Sequence, residues 1–532
     1  MGRRMAKEKR IAQAAALIMV VTLAGRFFGF IREMLTARHF PAELVDTYLV
    51  AYTLPNIFGI TMTGAFLAAF IPTFTQLIVN GQKERAWRVA STVLNAILLF
   101  FSALVILGII FSPFVVDVLA PGFAGERLDV TVKLMRIMFP TLLFACLSGI
   151  TSGILNSFDH FILPSIGPAL ASLTVVASIL FLEPSLGIYA LAVGTLAGLF
   201  LQLLIQIPAV PRLGFRYQWV LDLKDPLVRQ IGVLIVPVLI GVGIGQANIL
   251  IDRMLASQLP GGSITALNYA NQIMQLPMGI FVQAISIPIF PALSALAAQN
   301  DQAGLERTMS KGFNYYSLLL TPITVGLMVL SVPAVRAILE RGEFTPENTA
   351  ATAIALFWYA LGILPSAIRD LITRVFYALQ DTSTPVKVGA VSVTLHIILN
   401  FVLVRFMSHA GLALATSLAT MINMLILGWI LWRRVGGWAL KGQLILLGKS
   451  ALAAVLMGFA VLEIDRLLFR YLGGTTEIDK VLQLTGAISA GFLIYLLVMW
   501  LLKVEEVQVL VVTFRQKIQG LLSRFVFRNT HS

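Results

Sequence analysis

The sequence predicts an all-α integral membrane protein of about fourteen transmembrane helices. Two parallel six-helix repeats are expected around a central cavity, followed by two extra C-terminal helices. Three observations predict this class. Of 532 residues, 58% are hydrophobic and only 12% charged, and the mean hydropathy is +0.88. Apolar runs of about 20 residues or more, enough to cross a bilayer, recur from end to end. Blocks of the first half also return, in order, some 220 residues later.

Apolar runs bounded by Gly, Pro and charge place helices at 11–39, 44–79, 86–119, 128–158, 162–182, 186–210, 227–257, 263–298, 305–339, 347–379, 384–407, 410–435, 444–468 and 480–503. The longer ones are expected to tilt, kink or project beyond the membrane. A basic segment, Met1 to Arg10, precedes the first apolar run, as in a signal peptide. No small-x-small cleavage site leads into a soluble domain and further spans follow at once, so it reads as an uncleaved first helix.

Lys and Arg concentrate in the loops after even-numbered helices: Lys83, Arg85 and Arg88, then Arg212, Arg216, Lys224 and Arg229, and later Arg433, Arg434, Lys441 and Lys449. By the positive-inside bias these loops and both termini face the cytoplasm. The net charge of +13 is therefore a topology signal, and no nucleic-acid partner is expected. The single cysteine, Cys146, lies in an apolar segment and leaves no intrachain disulfide.

The repeat is carried by several blocks. Ile31-Arg32-Glu33-Met34-Leu35 aligns with Ile251-Asp252-Arg253-Met254-Leu255, Leu54-Pro55 with Leu276-Pro277, and Ser91 and Asn95 with Ser310 and Asn314. Pro113, Leu119 and Gly122 answer Pro333, Leu339 and Gly342. The shift spans six helices, so the copies share one orientation and should be related by an axis along the membrane normal. The expected divisions are an N-terminal six-helix lobe (1–212), a C-terminal six-helix lobe (213–440), two additional helices (441–503), and an amphipathic helix and tail on the cytoplasmic face (504–532). In the last of these Val507, Leu510, Val511, Phe514 and Ile518 recur at helical spacing among basic residues.

A charge inside a span is costly and marks a functional site by default. The first helix carries Arg26, Arg32 and Glu33, with Gly25 and Gly29 thinning it alongside; the matching helix of the second copy carries Asp252 and Arg253. The surplus of arginine suits an anionic ligand, since guanidinium grips phosphate oxygens bidentately and stays charged at low dielectric. The alternative is snorkelling or structural ion pairing. Arg369, Asp370 and Arg374 in the tenth helix either extend this lining or pair with one another, and His396 reads as an interior histidine. No Walker A loop, nucleophilic triad or metal-ligand cluster occurs, and outward loops run to little more than ten residues, so a transporter rather than an enzyme is expected.

These residues resemble the MurJ (MviN) family, the lipid II flippases of the multidrug/oligosaccharidyl-lipid/polysaccharide exporter superfamily, through nearly the whole chain. The most specific pieces are Gly25-Arg26-Phe27-Phe28-Gly29-Phe30-Ile31-Arg32-Glu33, Asp46 with Leu54-Pro55-Asn56, Ala266-Leu267-Asn268-Tyr269-Ala270, Glu340-Arg341-Gly342-Glu343-Phe344-Thr345, and Phe376-Tyr377-Ala378-Leu379-Gln380-Asp381-Thr382. The resemblance implies a multi-pass protein of the bacterial cytoplasmic membrane. It would flip an undecaprenyl-pyrophosphate-linked disaccharide-pentapeptide (lipid II) outward for peptidoglycan biosynthesis, driven by membrane potential or an ion gradient. Membrane lipids and the cell-wall synthesis machinery are implied as further partners. Arg26 and Arg32 match arginines thought to hold the pyrophosphate, and Asp46 a functionally sensitive acid. Glu33, Asn56, Arg253, Arg369 and Arg374 complete the expected substrate-binding set, and the last two helices look like a groove for the lipid tail.

The chain departs from the family pattern at two places. Ile57-Phe58-Gly59-Ile60 stands where a basic residue commonly follows Leu-Pro-Asn, and Asn271-Gln272 where Asp-Arg is common. No organic cofactor is implied. Some relatives bind sodium between the seventh, eleventh and twelfth helices, which would fall to Asp252, Asn400 and Thr420, with Val404 in place of an acidic ligand. Two other readings stay open on the residues. One is a related exporter, either an O-unit or other lipid-linked oligosaccharide flippase or a drug/cation antiporter; the antiporter would favour acidic and aromatic cavity residues. The other is a polyprenyl-phosphate glycosyltransferase, which would need a large catalytic outward loop.

Overall fold

The computed structural model describes residues 2–435, 440–473 and 476–508, the side chains of 2–20, 238, 240–242 and 244 excepted. The described residues form helices and no strand. The first copy runs α1 (Gly2–His39), α2 (Ala42–Val79), α3 (Lys83–Ile110), α4 (Ser112–Leu119), α5 (Glu126–Met138), α6 (Pro140–Ser157), α7 (Ile162–Leu186), α8 (Tyr189–Gln206) and the short α9 (Ala209–Arg212). The second runs α10 (Pro226–Ala256), α11 (Ser263–Pro277), a π-helical turn (Met278–Val282), α12 (Gln283–Ala298), α13 (Gln302–Val329), α14 (Ser331–Leu339), α15 (Pro346–Ala360), α16 (Ile363–Ala378), α17 (Ser383–Met407) and α18 (His409–Arg434). Helices α19 (Lys441–Leu472) and α20 (Glu477–Leu501) follow. The amphipathic segment expected beyond residue 508 lies outside the described residues.

Among the described residues eleven helices are long and apolar enough to cross a membrane, or twelve if the bent pair α15–α16 is one span. The two further spans expected at 11–39 and 227–257 correspond to α1 and α10, helices of 38 and 31 residues whose side chains are only partly described.

Four runs expected to be single helices are each divided in two at matching places in the two copies, although α5 and α6 still run on as one span. The run 86–119 divides into α3 and α4, and 305–339 into α13 and α14. Pro113 and Pro333, in the first turns of α4 and α14, lack the N–H that would continue the ladder. At the first break the Ser112 hydroxyl donates to the Ile109 carbonyl at 2.9 Å in the proline's stead. The run 128–158 divides into α5 and α6, and 347–379 into α15 and α16, the latter pair bent by 40°.

The stretch after each short helix makes a crossed contact. Gly122, beyond α4, donates its N–H to Ser257 Oγ at 3.3 Å at the end of α10, and a Cβ on Gly122 would run into the Ser257 carbonyl. Gly342, beyond α14, lies against the Arg38 carbonyl at the end of α1, which also accepts the Glu343 N–H at 3.0 Å. Each copy therefore closes on the first helix of the other. Gly342 has φ +62°, a conformation only glycine adopts freely.

Contacts group the chain into two compact units: Met1–Tyr269 with Leu339–Ala351 and Val393–Leu412, and Ala270–Ile338 with Thr352–Ser392 and Ala413–Ser532. In the first, an aromatic cluster anchors α2, α3 and the segment after α9: Trp87 lies 5.4 Å from Phe74, 5.7 Å from Phe158 and 5.2 Å from Phe215 between ring centroids. In the second, α19 and α20 pack on α13. Lipid offers no hydrophobic drive for helix association, so close approach through small residues matters. A Cβ on Gly458 would sit 3.0 Å from Val325, and one on Gly491 2.7 Å from Val461. The Tyr495 hydroxyl donates to the Leu318 carbonyl at 3.0 Å, and Asn314 to Glu506 at 3.0 Å.

The turn between α16 and α17 is organised by Asp381. Its carboxylate accepts the Thr384 N–H at 3.0 Å and hydroxyl at 2.8 Å, and pairs with Arg434 at the end of α18. The two Thr384 bonds, then the guanidinium, hold its carboxyl well below the usual carboxylate range. A depressed folded-state pKa stabilises fully above the unfolded value, about 3.9, and the contribution is lost as pH falls below it.

Two predictions follow from these contacts. Gly342→Ala should destabilise the protein by about 2 kcal/mol in thermal unfolding, while Gly389→Ala, in α17 with open space around it, should be neutral or stabilising; equal effects would remove the steric account. Asp381→Asn should lower the unfolding midpoint at neutral pH. The gap to the wild type should shrink as pH drops below about 4, and a gap independent of pH would show that the carboxylate is not the source.

Candidate functional site

In α1 the guanidinium of Arg32 meets Glu33 at 2.6 Å, and the two side chains are 29% and 13% exposed. The pair is neither sealed nor solvated, and Tyr48 and Tyr52 of α2 lie within electrostatic range of Arg32. Tyr48 is itself tied to Thr195 of α8 at 2.9 Å. Arg26, six residues earlier on the same helix, is exposed. The helix rise puts it about 9 Å from Arg32 along the axis.

Asp46 is 1% exposed and every oxygen is used. Oδ2 accepts the Gly262 N–H at 2.7 Å, and Oδ1 accepts both the N–H and the hydroxyl of Thr265, at 2.8 and 2.7 Å. Arg127 approaches Oδ2 at 3.3 Å while lying over the Phe123 ring at 4.4 Å. A carboxylate of α2 thus caps the start of α11, where free N–H groups favour negative charge. Asp46 has a bolt's geometry, joining the two sequence copies.

Asn56 lines a cavity of about 290 Å³ among α2, α6 and α8. Arg253 donates to the Ile264 carbonyl at 3.4 Å and to Asn268 at 3.5 Å. In the second unit Asp370 pairs with Arg374 at 2.9 Å and accepts from Ser286 at 3.1 Å, while Ser286 also bonds Tyr316 at 2.7 Å. Arg374 lies 5.9 Å from the Phe290 ring centroid. The half-buried Arg369 is beside this network, and Asp370 accepts its arginine hydrogen bond from Arg374 rather than from its chain neighbour.

Asp252 accepts from Asn400 Nδ2 at 2.7 Å and faces His396 Nε2 at 3.7 Å; His396 is 2% exposed. Asn400 Oδ1 is buried without a hydrogen-bond partner. Thr420, in the second unit, donates to the Thr416 carbonyl at 2.8 Å. Asp252 and Asn400 therefore present a carboxylate and an amide oxygen side by side, with an imidazole on one flank. No group of three or more His, Cys, Asp or Glu with metal-binding geometry occurs among the described residues.

Several partners were invisible in the sequence. Arg127 reads as an ordinary loop cation, and only folding brings it to Asp46, 81 residues away. Ser286 and Tyr316 likewise meet Asp370 only in the fold. Ser148 and Ser152 on α6, with Gln202 and Gln206 on α8, did leave a trace: each pair is spaced i, i+4 within an apolar run, so each marks one polar helix face.

The comparisons agree with this architecture. The family model described as “Lipid II flippase MurJ” matches residues 37–476. The Synechocystis protein named “Probable lipid II flippase MurJ” is 30% identical over 523 residues, covering 94% of this chain and 96% of that one. The Burkholderia cenocepacia protein named “Lipid II flippase MurJ” is 29% identical over 462 residues, covering 84% and 89%. A solved structure described as “Lipid II flippase MurJ, inward closed conformation” superposes with a TM-score of 0.77 at 26% identity, covering 92% of this chain and 98% of that one. An inward-facing multidrug resistance MATE transporter of the MOP superfamily, 11% identical at a TM-score of 0.67 over 79% of this chain and 98% of its own, shares the fold alone. With the match extending over most of its length, the chain belongs to the lipid II flippase MurJ family.

Proposed function

We propose that this protein carries lipid II from the inner to the outer leaflet of the bacterial cytoplasmic membrane by alternating access, with both termini in the cytoplasm. The observation that carries the proposal is the partly exposed Arg32–Glu33 pair in α1, the helix expected as the first span. Guanidinium has five N–H donors, and Glu33 takes one of them at 2.6 Å. The remaining donors suit a pyrophosphate, whose charge offsets the cost of holding arginine in the bilayer. Arg26, about two turns away, supplies a second cation on the same helix. Glu33 fixes the orientation of Arg32 and keeps the empty site from being an isolated buried charge.

The substrate's charge also supplies a driving force. An inside-negative potential pushes an anion outward with about 2.3 kcal/mol per elementary charge per 100 mV. That drive needs no bound ion.

The test is expression in cells depleted of their own lipid II flippase, with lipid II measured in each leaflet. The wild type should restore outward translocation and growth. Arg32→Gln and Arg26→Ala should each abolish translocation at unchanged membrane abundance, and full activity in both would overturn the pyrophosphate assignment. Collapse of the membrane potential should slow the wild type several-fold; a rate indifferent to potential would exclude it as the drive.

A further inference from the structure

The cavity among α2, α6 and α8 differs chemically from the arginine-bearing face of α1. Its polar lining consists of Tyr52, Asn56, Thr63, Ser148, Ser152 and Gln202, and it includes no charged side chain. Its volume of about 290 Å³ lies just below the range for drug-sized ligand pockets, about 300–1,000 Å³.

The back wall is fixed. Gln206, fully buried, donates to Ser148 Oγ at 2.9 Å and accepts from the Ser152 hydroxyl at 3.0 Å. Gln202 Nε2 donates to the same Ser148 oxygen at 3.2 Å. That bond aligns the Gln202 amide and leaves its carbonyl oxygen with no protein hydrogen bond among the described residues. The Tyr52 hydroxyl and the Asn56 amide likewise make none. Three unpartnered groups, donors and acceptors both, therefore converge on one site.

Exposing such groups to an acyl chain would be costly. A bare anion would find no cation there. Hydroxyl and acetamido groups, which donate and accept in alternation without net charge, match the lining. Tyr52 connects this pocket to the charged pair, since it lies within electrostatic range of Arg32. A ligand anchored by an anion at Arg32 would reach the pocket with the group next to that anion.

We propose that the cavity bounded by Tyr52, Asn56 and Gln202 is a subsite for an N-acetylated sugar of the transported head group. This rests on the flippase proposal and adds to it: Arg32 reads the pyrophosphate, while the uncharged pocket distinguishes a glycan-bearing carrier lipid from the bare carrier. Bare undecaprenyl pyrophosphate would be held less tightly and so compete poorly.

The test measures binding to the purified full chain in nanodiscs, using undecaprenyl pyrophosphate and the same lipid bearing an N-acetylated disaccharide. The wild type should prefer the glycan-bearing lipid. Gln202→Leu and Tyr52→Phe should each weaken that lipid by about threefold to tenfold, the size of a lost hydrogen bond. Their binding of the bare lipid should be unchanged, which also reports intact folding. Arg32→Gln should weaken both lipids. Variants that lose both lipids alike, or neither, would overturn the sugar subsite, as would equal wild-type affinity for the two. A wild type that binds neither lipid would overturn the flippase proposal itself.

Discussion

The structure depends most on the clasp around Asp46. Sealing a carboxylate at 1% exposure would cost several kcal/mol if its charge were unanswered. Here two backbone N–H groups, one hydroxyl and Arg127 answer it. Because the backbone donors belong to the start of α11, a single side chain of the first copy fixes where the second copy's helix begins. The Thr265 hydroxyl strengthens the joint by also donating to the Ala42 carbonyl at 2.8 Å. Such a joint is strong when complete and costly when half made, as suits an element with two discrete arrangements.

The other polar groups divide by charge and by degree of satisfaction. Asp46 and Asp370 sit in bonded networks. Arg32, by contrast, has one partner and spare donors, and the Tyr52–Asn56–Gln202 cavity has donors and acceptors without partners. Incomplete satisfaction at membrane depth persists only where a cavity or a ligand makes up the difference. That difference sets the carboxylates of Asp46 and Asp370 apart from the residues suited to hold a substrate, although all of them are polar residues in apolar helices.

The fold class was legible because hydropathy, charge asymmetry and the repeat are properties of long stretches. Arg32 and Glu33 were legible because they are neighbours in sequence. The helix breaks were also available in principle, at Pro113 and Pro333, but continuous hydropathy hid them: an apolar run reads the same whether or not the ladder inside it is interrupted. The partners of Asp46 were out of reach, since Gly262 and Thr265 each donate a backbone N–H, a group that every residue but proline carries. Asp252 shows the reverse limit. The acid stands out in the sequence, while its neighbours in the fold, Asn400 and His396, acquire meaning only once α17 lies beside α10.

The crossed contacts of Gly122 and Gly342 have a meaning beyond packing. When a patch of one half touches the other half and the equivalent patch returns the contact, the arrangement is that of an isologous dimer. Here it is written within a single polypeptide. The two glycines preserve the outline of a twofold pair of half-length chains, each closing on the end of the other's first helix. The clasp breaks that symmetry. The positions answering Asp46 fall among Ala266 to Asn268, which include no acid. Fusion into one chain allows such a one-sided feature, because each half can then change without imposing the same change on its twin.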